Sequence, residues 1–192
     1  MKMSRFEKVF VNGAGHSRQV ARNAERLLAF AVPSPGQRYL DVGCGNGAAP
    51  LHLARSHGLE VVGVDVDPQQ IETARRLGAG LARATFLTLD GSRLPFDDGE
   101  FDTVATHKVT HHVASWRSLL VEMARVLKPG GHFIYADLVY PPWLAAVGEK
   151  MSRSYGFPTV EAVESLLPRL GLHPLHSARS AMAYEAVCRL AG

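Results

Sequence analysis

Asp41-Val42-Gly43-Cys44-Gly45-Asn46-Gly47 (DVGCGNG, 41–47) decides how this chain is read. It follows a short apolar run, YLDVG (39–43), and opens a helical pattern, AAPLHLARSHG (48–58). A strand that turns through glycines into a helix is a turn built for close approach of backbone and ligand, because glycine adopts left-handed angles and has no Cβ. The spacing is GxGxG and not the GxGxxG that suits a dinucleotide pyrophosphate. Asp41 points the same way. A carboxylate just before the turn repels a pyrophosphate but accepts a bond from an ammonium group. A ligand with an amino-acid end therefore suits this loop better than a dinucleotide. Taken alone, the same turn could merely pack a helix against a strand, so its surroundings matter.

Outward from the loop the pattern alternates. Runs rich in β-branched or aromatic residues stand at VVGVD (61–65), ATFLTL (84–89), DTVAT (102–106) and HFIYAD (132–137). Helical stretches lie between several of them: 48–58, PQQIETARRLG (68–78) and SWRSLLVEMARVLK (115–128). This alternation predicts a parallel sheet with right-handed crossovers and helices on both faces. Gly58, Gly78 and Gly130–Gly131 stand where helices should stop. Before the loop, HSRQVARNAERLLAFA (16–31) reads as an amphipathic helix, broken by Pro33, Pro35 and Gly36. After residue 140 the pattern changes. Pro141–Pro142 is excluded from a helix interior or a central strand, and 138–158 is the longest stretch without an assignment, as a lid or substrate loop would be. TVEAVESLLPRLG (159–171) reads as a helix capped by Thr159 and stopped by Gly171. HPLHSARS and AMAYEAVCRL then read as two successive strands, which implies an antiparallel ending.

The strand ends carry acids. Asp65 closes the second strand, where a carboxylate can take both hydroxyls of a ribose. Asp67 precedes Pro68 and reads better as a helix N-cap. Asp90 closes the third strand and can accept a bond from the exocyclic amine of an adenine, although an Asp before Gly91 also makes a simple turn. Three such features at the carboxyl ends of three successive strands fall on the edge where open α/β sheets bind ligands.

With DVGCGNG, GVD, LDGSRLPF, FDTVATHKVTHHV and LKPGGHFIYAD on the page, the chain resembles the class I S-adenosylmethionine-dependent methyltransferases. Within these it is most similar to the small ubiquinone/menaquinone-biosynthesis-like group. The resemblance covers roughly 38–140 in motif. It implies a Rossmann-like doubly wound α/β sheet of seven strands in the order 3-2-1-4-5-7-6, with strand 7 antiparallel. It also implies a methyl transfer to a small or medium-sized acceptor, with S-adenosylhomocysteine as product and no metal. By the same resemblance, Asp41, Gly43, Cys44 and Gly45 line the methionine part of the cofactor, and Asp65 meets its ribose. Val66 packs on the adenine, Asp90, Gly91 and Ser92 meet its edge, and the backbone of His107 approaches the methionyl amine. An N-terminal helix closes the pocket, with 12–18 (NGAGHSR), and so His16, as the candidate.

His107, His111 and His112 cluster after the fourth strand. A metal needs three or four convergent ligands, and adjacent His111 and His112 are expected to face different ways, one in the site wall and one exposed. Either can serve as a general base or position the acceptor. Displacement from a sulfonium releases a neutral leaving group, so alignment and a dry site do most of the work. Tyr140, Trp143 and Tyr155 give the 138–158 segment apolar faces. The acceptor is therefore expected between the N-terminal helix, the His107–His112 stretch and that segment.

Composition sets the outer bounds. A chain of 192 residues with 46% hydrophobic and 20% charged residues is one folded domain. It divides into a helical cap (1–37), a cofactor-binding core (38–140) and a lid loop, helix and hairpin (141–192). No apolar run is long enough to span a bilayer, the N-terminus reads as no secretory signal, and two cysteines make no disulfide framework. The default location is the cytoplasm. Residues 1–38 carry seven Lys/Arg against Glu7 and Glu25, whereas the remainder is net acidic. That excess either solvates one helix face or favours an anionic partner. A nucleic acid is disfavoured. The Asn-Pro-Pro-aromatic type of motif is missing after strand 4, and neither Cys44 nor Cys188 is placed as a nucleophile. A homodimer and a non-catalytic cofactor-binding role stay open.

Overall fold

Residues 14–192 are described by the structure, a computed structural model. Its strands form where the apolar runs lie. They are β1 (Arg38–Val42), β2 (Glu60–Asp65), β3 (Ala84–Thr88), β4 (Phe101–His107), β5 (Leu127–Leu138), β6 (Leu172–Arg179) and β7 (Ala183–Leu190). They make one seven-stranded sheet in the order β3-β2-β1-β4-β5-β7-β6, the order the resemblance implies. β1 to β5 pair in parallel, and β7 lies antiparallel between β5 and β6. β1 and β4 are almost wholly buried, because helices cover both faces of a parallel sheet.

The helices are α1 (Ala14–Leu28), α2 (Ala48–His57), α3 (Pro68–Leu77), α4 (Trp116–Arg125), α5 (Pro142–Met151) and α6 (Val160–Arg169). On one face Leu27 and Leu28 of α1 and Leu53 of α2 pack on Tyr39, Val61, Ala105 and Ile134. On the other, Trp116, Leu120 and Met123 of α4 and Leu167 of α6 pack on Leu40, Val104, Phe133 and Tyr135. The start signals at Asp67 and Thr159 and the stop at Gly58 work as read. The Asp67 carboxylate accepts from the Gln69 N–H at 2.9 Å with Pro68 in the first turn, and the Thr159 hydroxyl accepts from the Ala162 N–H at 3.1 Å. Gly58 ends α2 at φ 65°.

Two segments depart from the sequence reading. The helix expected over 115–128 stops at Arg125, and Leu127 already pairs with Phe101. Pro129 has no N–H to continue a helix, and Gly130 sits at φ 75°. The LKPGG turn thus becomes an irregular start to β5, with a register shift opposite Phe101/Thr103. The 138–158 segment is not a loop. It holds α5, with Pro142 in the first turn, where a missing N–H costs nothing. The prolines start this helix rather than forbid it. Residues 152–158 then fold back: the Tyr140 N–H donates to the Pro158 carbonyl at 2.8 Å, and the Gly156 N–H to the His111 carbonyl at 3.2 Å. A Cβ on Gly156 would lie 2.1 Å from the Thr110 carbonyl oxygen, so only glycine permits this approach.

Candidate functional site

The strand order reverses between β1 and β4: the connection after β1 runs to β2 on one side and the connection after β4 to β5 on the other. A crevice opens at such a point outside the carboxyl ends of the strands. Here it is a cavity of about 360 Å³. The glycine loop, Asp65–Val66 after β2, Leu89–Gly91 after β3 and His107–Val113 after β4 supply most of its walls. Ser17 and Val20 of α1 close one side.

The loop is held open from behind. Gly43, Gly45 and Gly47 have φ of 80°, 53° and 79°, where an L side chain is strained. A Cβ on Gly43 would stand 2.2 Å from a methyl of Val109, whereas one on Gly45 meets nothing within 4 Å and would only fill the crevice. Asp65 grips the turn: one carboxylate oxygen accepts from the Gly45 N–H and the other from the Asp67 N–H, each at 2.9 Å. Burial raises the Asp65 pKa and these bonds oppose the rise. Each oxygen keeps a lone pair for a ligand hydroxyl. Asn46 joins the loop to α1, donating to Ser17 Oγ at 3.1 Å.

The sequence-predicted residues divide. Gly43, Cys44, Gly45, Asp65, Val66, Asp90, Gly91, His107, His111 and His112 all line the cavity. Ser92 does not, but its N–H and hydroxyl donate to Asp90 at 2.9 and 2.7 Å, so Asp90 serves its own turn as well as the wall. Asp41 lies behind the wall. Its side chain shares the face of β1 with Tyr39, two residues away, is 2% exposed, and one carboxylate oxygen has no partner among the described residues. Burial, with the Asp65 charge added, pushes its pKa up to about 7, so it is no ready-made anion for an ammonium group. Burial likewise raises the Cys44 thiol, which leaves no thiolate nucleophile.

His111 and His112 correct an expectation. They were read as facing different ways, yet both line the cavity, with ring centroids 3.9 Å apart. A 3₁₀ turn over Thr110–His112 replaces the expected helix start and brings the rings together. Asp137, at the end of β5, organises this turn. One of its oxygens accepts from the Val109 N–H (2.7 Å), the Thr110 N–H (2.6 Å) and the Thr110 hydroxyl (2.7 Å). The other accepts from the Leu138 N–H (2.6 Å) and His111 Nδ1 (2.5 Å). A carboxylate is acceptor-only, so Nδ1 is the donor, and in the neutral ring the lone pair is on Nε2. Sequence reading passed over Asp137, and so the pair. The only signal was an acid ending β5, as Asp65 and Asp90 end β2 and β3.

His107 is the other outlier. Both ring nitrogens are sealed from solvent without a partner among the described residues, and burial lowers its pKa to about 4. The expected lid residues stand apart. Tyr140 packs on Phe157, Tyr155 lies 6.1 Å from the His112 ring, and Trp143 is 71% exposed; none of the three lines the cavity. The side chain of His16 and residues 12–13 of the proposed cap lie outside the described residues. No group of three His, Cys, Asp or Glu that could hold a metal occurs among the described residues.

Residues 40–135, half of the chain, match a family model described as a methyltransferase domain. The chain belongs to the class I S-adenosylmethionine-dependent methyltransferases. It is 41% identical over 114 residues to an uncharacterised methyltransferase of Synechocystis, covering 58% of this chain and 52% of that protein. Over 111 residues it is 39% identical to a demethylmenaquinone methyltransferase of Clavibacter sepedonicus, covering 58% of this chain and 45% of that protein. This methyltransferase domain thus spans about half the length of these curated relatives. In fold it is similar to the [4+2]-cyclase SpnF, with a TM-score of 0.79, 20% identity, and 91% of this chain and 82% of that one covered. No helix of the described residues is long and apolar enough to cross a membrane.

Proposed function

We propose that this protein transfers a methyl group from S-adenosylmethionine to a small or medium-sized acceptor, and that His111, held by Asp137, takes the acceptor's proton. The observation that carries the reading is the cavity at the strand-order reversal. A glycine loop opens it, Asp65 and Asp90 stand on its wall, and so does His111, bonded to Asp137. The cofactor fits these residues. Gly45 leaves room against the backbone, Asp65 keeps lone pairs for two ribose hydroxyls, and exposed Val66 offers an apolar surface for the adenine. Gly43, Cys44 and Gly45 border the methionine part, with the His107 backbone near its amine. Bound there, S-adenosylmethionine supplies an electrophilic methyl on a sulfonium sulfur that leaves as the neutral thioether.

The protein's part is alignment, exclusion of water and one proton. Asp137, saturated by five donors, fixes the His111 ring and its tautomer, so Nε2 is the atom that accepts a proton as the acceptor's oxygen or carbon takes the methyl. Asp41 contributes through the loop it backs and not through direct contact. The described residues are taken as a single domain with α1 as its cap. The two cysteines, both free and buried, suit the cytoplasm.

Titration calorimetry with S-adenosylhomocysteine and with NAD tests the cofactor, and acceptor screening with mass detection of methylated product tests the transfer. NAD binding without S-adenosylhomocysteine binding would refute the assignment. A second reading has a specific basis, since a [4+2]-cyclase shares this fold. It predicts tight S-adenosylhomocysteine binding with no methylated product from any acceptor, and His111→Gln would then leave no transfer to lose.

A further inference from the structure

A second cavity, of about 390 Å³, opens beside the first. Its walls come from α1, from the ends of β4 and β5, and from the β6–β7 hairpin, which roofs it. The two cavities share Val20, His107, Lys108 and Leu138. They therefore meet at the end of β4, beside the turn that carries His111.

Four charged side chains line this second space: Lys108, Asp137, Arg179 and Glu185. Both acids already have their oxygens engaged. Asp137 accepts the five bonds given above, and Glu185 takes Arg26 at 2.8 and 2.5 Å and His176 at 3.4 Å. Both cations are without a hydrogen-bond or ion-pair partner among the described residues. Among the described residues the cavity thus offers two cations without a partner and two acids whose oxygens are engaged. Lys108 is also held at φ 58°, its N–H donating to the Ala136 carbonyl at 2.8 Å. A non-glycine residue in that region costs about 1 kcal/mol or more, and such strain tends to persist where a side chain is being aimed. At the inner end, the His107 imidazole leaves one donor and one acceptor unpaired in a buried place.

We propose that this second cavity holds the methyl acceptor, and that the acceptor is an amphipathic acid. Its anionic group meets Lys108 and Arg179, its apolar body lies against Val20, Leu138 and Tyr184, and its reacting atom passes the shared wall into the first cavity, where His111 stands. The inference rests on the methyl-transfer reading above. It moves the acceptor from α5, where Trp143 faces solvent, to the space under the β6–β7 hairpin.

The test uses matched pairs of acid and amide as probes: 4-hydroxycinnamate and 3-hydroxydecanoate, each against its own amide. Binding is measured by calorimetry and by backbone amide shifts on the full chain saturated with S-adenosylhomocysteine. The expected result is that at least one acid binds tenfold or more tightly than its amide, about 1.4 kcal/mol. That preference should fall toward unity in Arg179→Gln and with rising salt. Shifts should centre on 178–185, and S-adenosylhomocysteine affinity should stay unchanged in Arg179→Gln, because Arg179 does not line the first cavity. The inference is overturned if no pair shows an acid preference, if the preference survives both Arg179→Gln and Lys108→Gln, or if the shifts fall only on the glycine loop. Failure of S-adenosylhomocysteine itself to bind would remove the methyl-transfer reading along with it, which separates the two failures.

Discussion

Two buried groups should give this protein opposite responses to pH, and single substitutions should separate them. Asp41 is held up at about 7, against an ordinary value of 3.8, by burial and by Asp65. The folded state therefore binds its proton over a range where the unfolded chain has released it, and stability falls as pH rises from the unfolded value through 7. His107 is held down at about 4, against 6.5, by burial. There the unfolded chain binds the proton first, and stability rises across that window. One pKa unit corresponds to about 1.4 kcal/mol. Between about pH 5 and pH 8, Asp41 thus removes about 3 kcal/mol and His107 restores about 2 kcal/mol. In the native protein the two oppose each other. Asp41→Asn removes the first contribution, so its unfolding free energy should rise by about 3 kcal/mol relative to the native protein over that range. His107→Gln removes the second and should fall by about 2 kcal/mol on the same comparison. Urea unfolding at both pH values, followed by far-UV circular dichroism, reads all three proteins, and every other titrating group is common to them. Parallel pH profiles for the three, or shifts of the opposite sign, would refute the reasoning.

Other outcomes follow from the site. Asp65→Ala should weaken S-adenosylhomocysteine binding at least about tenfold by calorimetry, and should cost stability too, because the Gly45 and Asp67 N–H groups lose their acceptor. Asp67→Ala should instead cost about 1 kcal/mol in urea unfolding through its helix cap and leave the affinity nearly unchanged. Gly43→Ala places a Cβ 2.2 Å from Val109 at a φ of 80°, and should abolish cofactor binding while lowering the melting temperature; retained affinity would count against the loop geometry. Once an acceptor is in hand, His111→Gln should lower kcat by about 10²–10⁴ with little change in cofactor affinity. Trp143→Ala should change neither, and a loss of turnover there would return α5 to the acceptor site.

Short-range chemistry was legible in the sequence. The glycine spacing of 43–47, the acids closing β2 and β3, Asp67 before Pro68 and Thr159 before α6 each work over a few residues, so type and spacing suffice to state what the backbone must do. The alternation of strands and helices set the doubly wound class for the same reason, since period and turn chemistry are local. The antiparallel ending followed from two strands joined directly. What tertiary structure decided depends on register between distant segments. Pairing of His107 with Ala136 across β4 and β5 sets Asp137 against the 3₁₀ turn, and so makes a pair of two residues 26 apart. Asn46 meets Ser17 across 29 residues only because α1 packs on the glycine loop. Asp41 carried the right residue type for a ligand contact, but the pleat of β1 turns it to the Tyr39 face, behind the wall. Trp143 and Tyr155 looked like pocket residues by composition, yet Pro142 starts a helix that leaves Trp143 in solvent. The second cavity lacks any motif, because its residues come from α1, two strand ends and a hairpin. Only the fold brings Lys108 and Arg179 to one space and spends their neighbouring acids on other partners.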